Sequence, residues 1–380
     1  MKKHCIFLAI IGIGLLCSCS KNDLSEQGFG AQKTREINYL IDTWMEEKKI
    51  PGILVGIWEL DLEPLILAKG VSNIETNDPL KDTDKFRIAS HTKTFTAAVI
   101  LQLVDEGCFS LDDTIEGYFP EVPNSHVITI RQLLNMSAGI YDFYYLDPRV
   151  GQSYLDDPLR VWTSEELYQY LIEGEPDYYP GTSAAYSNAN YFLLGLLIEE
   201  VTGNTVEDEI RTRLLDPLGM NSTSFPTDPE MTGNYVHGYR DKNYDGVLED
   251  ISRVEPSLPW AAGAMISNLH DMKTWVREMY HGTLLSREIQ AERLETVSLY
   301  GDFVSYGLGL LKLQGFVGHD GGILGYGNVA MYLPEKDAVV ICMINRSNDD
   351  GSPTDPNILD LWIKIARILY PDVFVRQPGL

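Results

Sequence analysis

The sequence has few positive charges for its 380 residues. Thirty Lys and Arg residues stand against 55 Asp and Glu residues, which gives a formal net charge of −25. A chain this acidic is a poor match for nucleic acid, because contacts to phosphate need the opposite sign. The sequence also lacks the G-x-S-x-G and H-E-x-x-H motifs of two common hydrolase chemistries. We therefore expect no nucleic-acid partner, no catalytic metal and no other cofactor.

The sequence also lacks an apolar run long enough to span a bilayer. The run from Cys5 to Leu16 follows two lysines and has the length of a signal-peptide core. Leu16-Cys17-Ser18-Cys19 resembles a lipobox, with a small residue before Cys19. We expect residues 1–18 to be a lipoprotein signal peptide, Cys19 to carry a lipid anchor, and 19–33 to be a polar tether. The expected location is the bacterial cell envelope, in the periplasm or on the outer surface, and a plainly secreted protein is the alternative.

Cysteines are few, and one acidic loop could hold a metal ion. Cys342 lies in an apolar strand and Cys108 follows a glycine, so a disulfide between them is compatible with the sequence but not required by it. Asp241–Asp250 begins like a calcium loop, but Ser252 stands where the twelfth residue would be glutamate. A hairpin loop is the preferred interpretation of this segment.

The chain does contain a serine and a lysine one helical turn apart. Ser90-His91-Thr92-Lys93 precedes a helical run, 94–104, that ends at Gly107. Ser90 is therefore expected at a helix N-terminus, with Lys93 on the same face. A serine hydroxyl needs a neighbouring base to act as a nucleophile, and lysine can be that base if burial lowers its pKa. S-x-x-K also arises by chance in chains of this length, so the other motifs decide its meaning.

Two more motifs follow at long intervals, Tyr186-Ser187-Asn188 and His319-Asp320-Gly321-Gly322. Together the three motifs resemble the serine β-lactamase and penicillin-binding family, in the branch of class C β-lactamases, D-alanyl-D-alanine carboxypeptidases and related esterases. The resemblance covers about residues 34–372. It is supported by the stretches 109–113, 130–139 (with Asn135 where histidine is usual), 180–182, 217–220 and 262–267.

The resemblance implies roles for four side chains. Ser90 would be the nucleophile that forms an acyl-enzyme, and Lys93 would help to deprotonate it. Tyr186 would be the general base, as a phenolate stabilised by Lys93, and would return the proton to the leaving group. Asn188 would hydrogen-bond Lys93 or the acyl side of the substrate.

The third motif carries the oxyanion hole and departs from the family pattern. The backbone N–H groups of Ser90 and of Gly322, which follows Gly321, would bind the oxyanion. Members that recognise penicillin usually have Lys-Thr-Gly or Lys-Ser-Gly here, whereas His319 replaces the cation and Asp320 the hydroxyl. Histidine is largely neutral at pH 7, and Asp320 would repel a substrate carboxylate if it faced the cleft. If Asp320 pointed outward, it would be a solvated turn residue. Strong β-lactamase activity is therefore disfavoured.

The pattern of elements predicts an α+β fold of the α/β-sandwich type, with an antiparallel sheet built from both chain ends and flanked by helices. Helices are expected at 31–48 and near 356–369, and strands at 52–58, 65–68, 306–310, 329–332 and 338–343. A helical insertion lobe is expected at about 110–250, with an amphipathic helix at 190–201. The catalytic domain would be 34–372.

The expected function is that of a serine hydrolase acting on an ester or amide, with a small-molecule, peptide or ester substrate. One alternative is an acyltransferase of the same fold that moves an acyl group onto an alcohol. Another is a D-Ala-D-Ala carboxypeptidase or β-lactamase, or a vestigial penicillin-binding module. Ten of the 21 tyrosines lie between residues 141 and 191. They either form an aromatic wall of the cleft or pack the helical lobe.

Overall fold

The computed structural model describes residues 28–301, 303–350, 352 and 355–374. Within these ranges the strands are β1 (Gly52–Trp58), β2 (Leu65–Asn73), β3 (Asp78–Pro79), β4 (Phe86–Arg87), β5 (Tyr239–Arg240), β6 (Glu249–Asp250), β7 (Ile266–Ser267), β8 (Val297–Tyr300), β9 (Val304–Tyr306), β10 (Leu311–Leu313), β11 (Phe316–Ile323), β12 (Tyr326–Leu333) and β13 (Ala338–Ile344). The helices are α1 (Ala31–Lys48), α2 (Thr92–Asp105), α3 (Ile130–Leu134), α4 (Phe143–Leu146), α5 (Pro148–Asp156), α6 (Ser164–Glu173), α7 (Asn188–Thr202), α8 (Val206–Ile210), α9 (Asp216–Leu218), α10 (Trp260–Gly263), α11 (Leu269–His281), α12 (Arg287–Leu294) and α13 (Ile358–Leu369).

Nine strands form one antiparallel sheet in the order β3-β2-β1-β13-β12-β11-β10-β9-β8. The N-terminal strand β1 pairs with the C-terminal strand β13 from Ile53 opposite Ile344 to Trp58 opposite Val339. This confirms a sheet built from both chain ends. The expected strand at 306–310 is wrong in its extent. The strand β9 ends at Tyr306. The chain then turns, since Gly309 has a φ of +82°, and the turn is closed by a hydrogen bond from Gly307 N–H to Leu310 O.

Helices cover both faces of the sheet. On β12 a side chain at Gly327 would contact Ile358 of α13, and on β1 one at Gly56 would contact Leu269 of α11. These glycines pair with Ile344 and Ile341 of β13, which are an odd number of residues apart and so face opposite sides. The arrangement is the expected three-layer sandwich, with the sheet buried between helices.

The helical lobe lies between β4 and β7 in the sequence and contains α3 to α9. Its longest helix, α7, was expected to be amphipathic over 190–201, but it is longer and buried on nearly all sides, from Asn188 to Ile198. It contacts α2, α3 and α10. Because these helices surround it, α7 needs apolar residues on most of its faces rather than on one stripe. The sheet, α2 and this lobe meet around Ser90.

Several expectations concern the ends of the chain and its loops. The signal peptide, Cys19 and the tether up to residue 27 lie outside the described residues. No helix in the described ranges is long and apolar enough to cross a membrane. Cys342 is buried in β13 and Cys108 is exposed, and both are free thiols.

The acidic loop after β5 is a hairpin that joins β5 to β6. The Asp241 carboxylate accepts the N–H of Gly246 and a contact from Arg346 at 3.5 Å. No group of three or more His, Cys, Asp or Glu side chains in the described part of the chain is arranged to hold a metal ion.

Candidate active site

Ser90 lies in a tight turn between a strand and a helix. A single 3₁₀ turn, Ala89–His91, joins the short strand β4 to α2. Ala89 has a φ of +48°, a left-handed conformation that costs a residue with a side chain about 1–2 kcal/mol. The Thr92 hydroxyl holds the turn, since it donates to Ala89 O at 2.7 Å and accepts the N–H of Met265 at 3.0 Å. The turn leaves Ser90 half-buried at the wall of a cleft.

Lys93 lies directly beneath Ser90 and is fully buried. Its Nζ is 3.1 Å from Ser90 Oγ, 2.6 Å from Asn188 Oδ1 and 2.8 Å from the carbonyl oxygen of Ala262. Burial lowers the pKa of Lys93 from 10.5 to about 7, although the carboxylates of Asp142 and Asp320 oppose this shift. A large fraction of the enzyme therefore carries an uncharged amine next to Ser90 at neutral pH.

The segment that carries Tyr186 and Asn188 is held by the stretch 133–142. Ala185 N–H donates to Met136 O at 3.0 Å, and Asn188 N–H donates to the Asp142 carboxylate at 3.1 Å. Asn135, which replaces the family's usual histidine, accepts the Ser137 N–H and hydroxyl at 3.2 and 2.6 Å. Hydrogen bonds thus fix the Tyr186-Ser187-Asn188 motif to the stretch 133–142.

Tyr186 lines the same cavity as Ser90. Lys93 Nζ lies 4.9 Å from the centroid of the Tyr186 ring, within the range of a cation–π contact. Three of the predicted site residues, Ser90, Lys93 and Tyr186, are therefore brought together although they come from two segments about 95 residues apart.

The glycines of the third motif allow β11 to pass close to the serine turn. A Cβ on Gly321 would lie only 2.5 Å from Ile88 O and 3.2 Å from Ala89 Cβ, so only glycine fits there. Gly322, the next residue, lines two of the cavities that contain Ser90. The backbone of Gly322 and that of Ser90 thus border the same space.

His319 does not reach the substrate space that the sequence led us to expect. Its side chain is fully buried, and it contacts the rings of Tyr186 and Tyr306. Nδ1 is 2.5 Å from Asp320 O, which can only accept, so Nδ1 carries the proton and Nε2 accepts from the Tyr306 hydroxyl at 2.9 Å. Burial, reinforced by Lys93, lowers the pKa of His319 to about 3. His319 is a neutral support behind Tyr186 and cannot replace a substrate-binding cation.

Asp320 points to the opposite face of β11 and lines the cavity that holds Ser90 and Tyr186. The alternative prediction, in which Asp320 points outward as a solvated turn residue, is therefore wrong. The reason is the alternation of the strand, since His319 and Asp320 must face opposite sides. The Asp320 side chain is 41% exposed, and burial of the remainder raises the pKa of its carboxyl group.

Two carboxylates of the site were missed in the sequence. Asp142 is buried and accepts the N–H groups of Asn188 and Tyr144, and burial raises the pKa of Asp142 to about 6. Asp349 lies in the loop after β13 and lines the same cavity as Asp320. Burial, reinforced by Asp355 and Asp350, raises the pKa of Asp349 to about 7. The acidic residues that follow the apolar strand 338–344 could have indicated Asp349 in the sequence. No local sequence pattern indicates Asp142.

Comparison with known proteins agrees with this site. The family model described as Beta-lactamase matches residues 37–361. Penicillin-binding protein 4* of Bacillus subtilis (strain 168) is 26% identical over 307 residues, which are 74% of this chain and 65% of that protein. Protein flp of Staphylococcus aureus (strain MRSA252) is 28% identical over 252 residues, 64% of this chain and 48% of that protein. The chain therefore spans about half to two thirds of the length of these curated relatives.

Solved structures extend the comparison to nearly the whole chain. A D-stereospecific amidohydrolase from Streptomyces sp. has a TM-score of 0.76 and 28% identity, and the match covers 92% of this chain and 99% of that one. A D-amino acid amidase from Ochrobactrum anthropi SV3 complexed with L-phenylalanine amide has a TM-score of 0.79 over 90% of this chain and 99% of its own. At 24% identity it shows the fold alone. The chain belongs to the β-lactamase family.

Proposed function

We propose that the protein hydrolyses amide or ester bonds through an acyl-enzyme on Ser90. The observation that carries the proposal is the set of neighbours around Lys93 Nζ. Asn188 Oδ1 and Ala262 O are acceptors only, so they take the two N–H groups of an uncharged amine. The lone pair is then left for the third neighbour, the Ser90 hydroxyl at 3.1 Å. This is the arrangement that a general base needs.

The proposed reaction follows from these positions. Ser90 Oγ attacks the carbonyl carbon of the substrate while Lys93 takes the serine proton. The N–H groups of Ser90 and Gly322 stabilise the oxyanion, each such donor being typically worth 10²–10³-fold in rate. Tyr186, next to the new ammonium, returns a proton to the leaving amine or alcohol. Water then attacks the ester on Ser90, with the same groups in reverse order. Lys93 thus takes the first proton itself, whereas the family resemblance implied that Tyr186 is the general base and that Lys93 helps to deprotonate Ser90.

The departures in the third motif favour a substrate without a carboxylate at that position. The cation that grips this carboxylate in penicillin-recognising members is replaced by His319, which is buried and neutral. Asp320 adds a negative charge to the cavity that contains Ser90. The D-stereospecific amidohydrolase among the structural relatives supports an amide as the scissile bond. We therefore propose that penicillins and D-Ala-D-Ala peptides are poor substrates.

Covalent labelling tests this proposal. The protein is incubated separately with a fluorophosphonate, a p-nitrophenyl ester and a penicillin, and its intact mass is measured. We expect one fluorophosphonate adduct, ester turnover and no stable penicillin adduct. Ser90→Ala should remove the adduct and the turnover, whereas the control Ser110→Ala, at an exposed serine, should retain both. A fluorophosphonate adduct that persists in Ser90→Ala would overturn the assignment of the nucleophile. A stable penicillin adduct would instead assign the protein to the cell-wall peptidases.

We also propose that the enzyme acts at the bacterial cell envelope, anchored by a lipid on Cys19. The proposal rests on the short apolar run and the lipobox-like segment 16–19. Incorporation of a labelled fatty acid into the wild-type protein, and its loss in Cys19→Ser, would support the anchor. Equal labelling of the two proteins would contradict it.

A further inference from the structure

Two carboxylates line the cleft beside Ser90. Asp320 on β11 and Asp349 in the loop after β13 both line the cavity of about 220 Å³ that contains Ser90 and Tyr186. Both also line the adjoining cavity of about 450 Å³. Asp349 Oδ1 lies 3.8 Å from the position that a Cβ on Gly322 would occupy. The negative charge is therefore a few ångströms from the proposed oxyanion hole.

No lysine, arginine or histidine side chain in the described ranges lines these cavities. Lys93 is below the cleft and is already engaged by Ser90, Asn188 and Ala262. The Nδ1 of His319 lies 3.6 Å from Asp320 Oδ1, but that histidine is neutral. Lys93 acts on both carboxylates only from beneath the cleft, so a cation within these cavities would have to come from a ligand.

The neighbouring acidic residues have structural partners, which distinguishes them from Asp320 and Asp349. Asp355 accepts the N–H groups of Asn348 and Asp349 at 2.8 and 3.1 Å and so holds the loop. Asp350 accepts the Tyr244 hydroxyl and the Ser352 N–H. The carboxylate of Asp349 receives a neutral donor, the hydroxyl of Tyr154. Partly desolvated carboxylates without a cation are unfavourable, and a bound ammonium would relieve that cost.

A second, independent feature points to a ligand in this cleft. Asn188 is 6% exposed, and its Nδ2 has no acceptor among the described residues. It lines a small cavity together with Ser90, Tyr144 and Gly322. A buried donor without an acceptor costs about 1–3 kcal/mol, so a substrate that accepts a hydrogen bond there is favoured. A ligand that satisfies both features has an acceptor beside the reacting carbonyl group on one side and a positive charge on the other.

We propose that the acyl donor of this enzyme carries a free ammonium group close to the reacting carbonyl, as amino-acid amides and esters do, and that Asp349 and Asp320 bind it. This inference rests on the proposed acyl-enzyme chemistry of Ser90 and names its substrate class. Asp349 and Asp320 determine which acyl donor binds, whereas Ser90 and Lys93 carry out the reaction.

Substrates that differ only in the amino group test the proposal. D- and L-phenylalanine p-nitroanilide carry the ammonium group, and 3-phenylpropionyl p-nitroanilide has the same skeleton without it. For at least one enantiomer we expect kcat/KM to exceed that of the analogue by at least tenfold. Asp349→Asn and Asp320→Asn should each lower this ratio several-fold. The control Asp360→Asn removes an exposed carboxylate that pairs with Lys364 and should keep the ratio.

The outcomes separate this inference from the proposed function. If a fluorophosphonate fails to label Ser90, the acyl-enzyme proposal itself is overturned. If Ser90 is labelled and the des-amino analogue reacts as well as both phenylalanine substrates, only the ammonium proposal is overturned. A preference for the amine that neither Asp349→Asn nor Asp320→Asn reduces would also overturn it, since the charge would then be recognised elsewhere.

Discussion

Replacing Lys93 with methionine tests whether the base of Ser90 is an uncharged amine. In the folded protein the pKa of Lys93 is lowered from 10.5 to about 7, because burial removes the ammonium from water. In the unfolded chain the amine is hydrated and its pKa returns to 10.5. Between pH 7 and 10.5 the unfolded chain therefore binds more protons than the folded protein, and rising pH stabilises the folded state. Lys93→Met lacks this titration.

The size of the effect follows from the same two pKa values. A fall from 10.5 to about 7 corresponds to about 5 kcal/mol over the whole pH window. For one proton, the free energy of unfolding changes by at most about 1.4 kcal/mol per pH unit. Between pH 7.5 and 9.5 the folded and unfolded states differ by nearly one bound proton at Lys93, so the change is close to this maximum. The free energy of unfolding of the wild type should therefore rise by about 2–3 kcal/mol relative to that of Lys93→Met. Since the prediction concerns the change with pH, the hydrogen bonds lost at Ser90, Asn188 and Ala262 do not affect it.

Urea unfolding followed by circular dichroism at pH 7.5, 8.5 and 9.5 measures this change. The control Lys336→Met removes an ammonium that is 47% exposed, so its difference from the wild type should stay nearly constant. Titrating groups that do not interact with Lys93 are shared by the wild type and Lys93→Met and cancel in the difference. Carboxyl groups near Lys93, such as Asp349, lose its charge in the variant, so Lys93→Met is also compared with the wild type in an Asp349→Asn background. A difference for Lys93→Met that is constant or falls with pH would mean that Lys93 keeps its proton. The uncharged-amine mechanism would then be refuted.

Two further predictions concern the residues that support the site. Asp142→Asn removes a carboxylate that favours the charged form of Lys93, so the acidic limb of the pH dependence of kcat/KM should move to lower pH. An unchanged limb would show that Asp142 does not act on Lys93. Tyr306→Phe removes the hydroxyl that donates to His319 Nε2 and leaves a buried acceptor unsatisfied. It should lower the free energy of unfolding by about 1–3 kcal/mol, measured by urea unfolding, and equal stability would contradict the hydrogen bond between Tyr306 and His319.

The sequence predicted the parts of the site that depend on local spacing. Ser90 and Lys93 are one helical turn apart, so their proximity follows from the helix alone. The sheet followed from apolar runs at both ends of the chain, although the glycines at 307 and 309 ended one expected strand early. Asp349 could not be placed, because its position depends on how the loop after β13 packs against Gly322, 27 residues earlier in the chain.

The third motif places its two polar side chains on different sides of β11. On β11, His319 and Gly321 face the serine turn, whereas Asp320 and Gly322 face the opposite side. A substitution at position 319 therefore changes the side chain that packs against Tyr186, and a substitution at position 320 changes the lining of the cavity that contains Ser90. Because these two positions are adjacent in sequence but face opposite sides of the sheet, we expect a substitution at Asp320 to change the preferred substrate charge while it leaves the contacts between Ser90 and Lys93 in place. The same substitution removes a carboxylate that favours the charged form of Lys93, so it should also lower the pKa of Lys93.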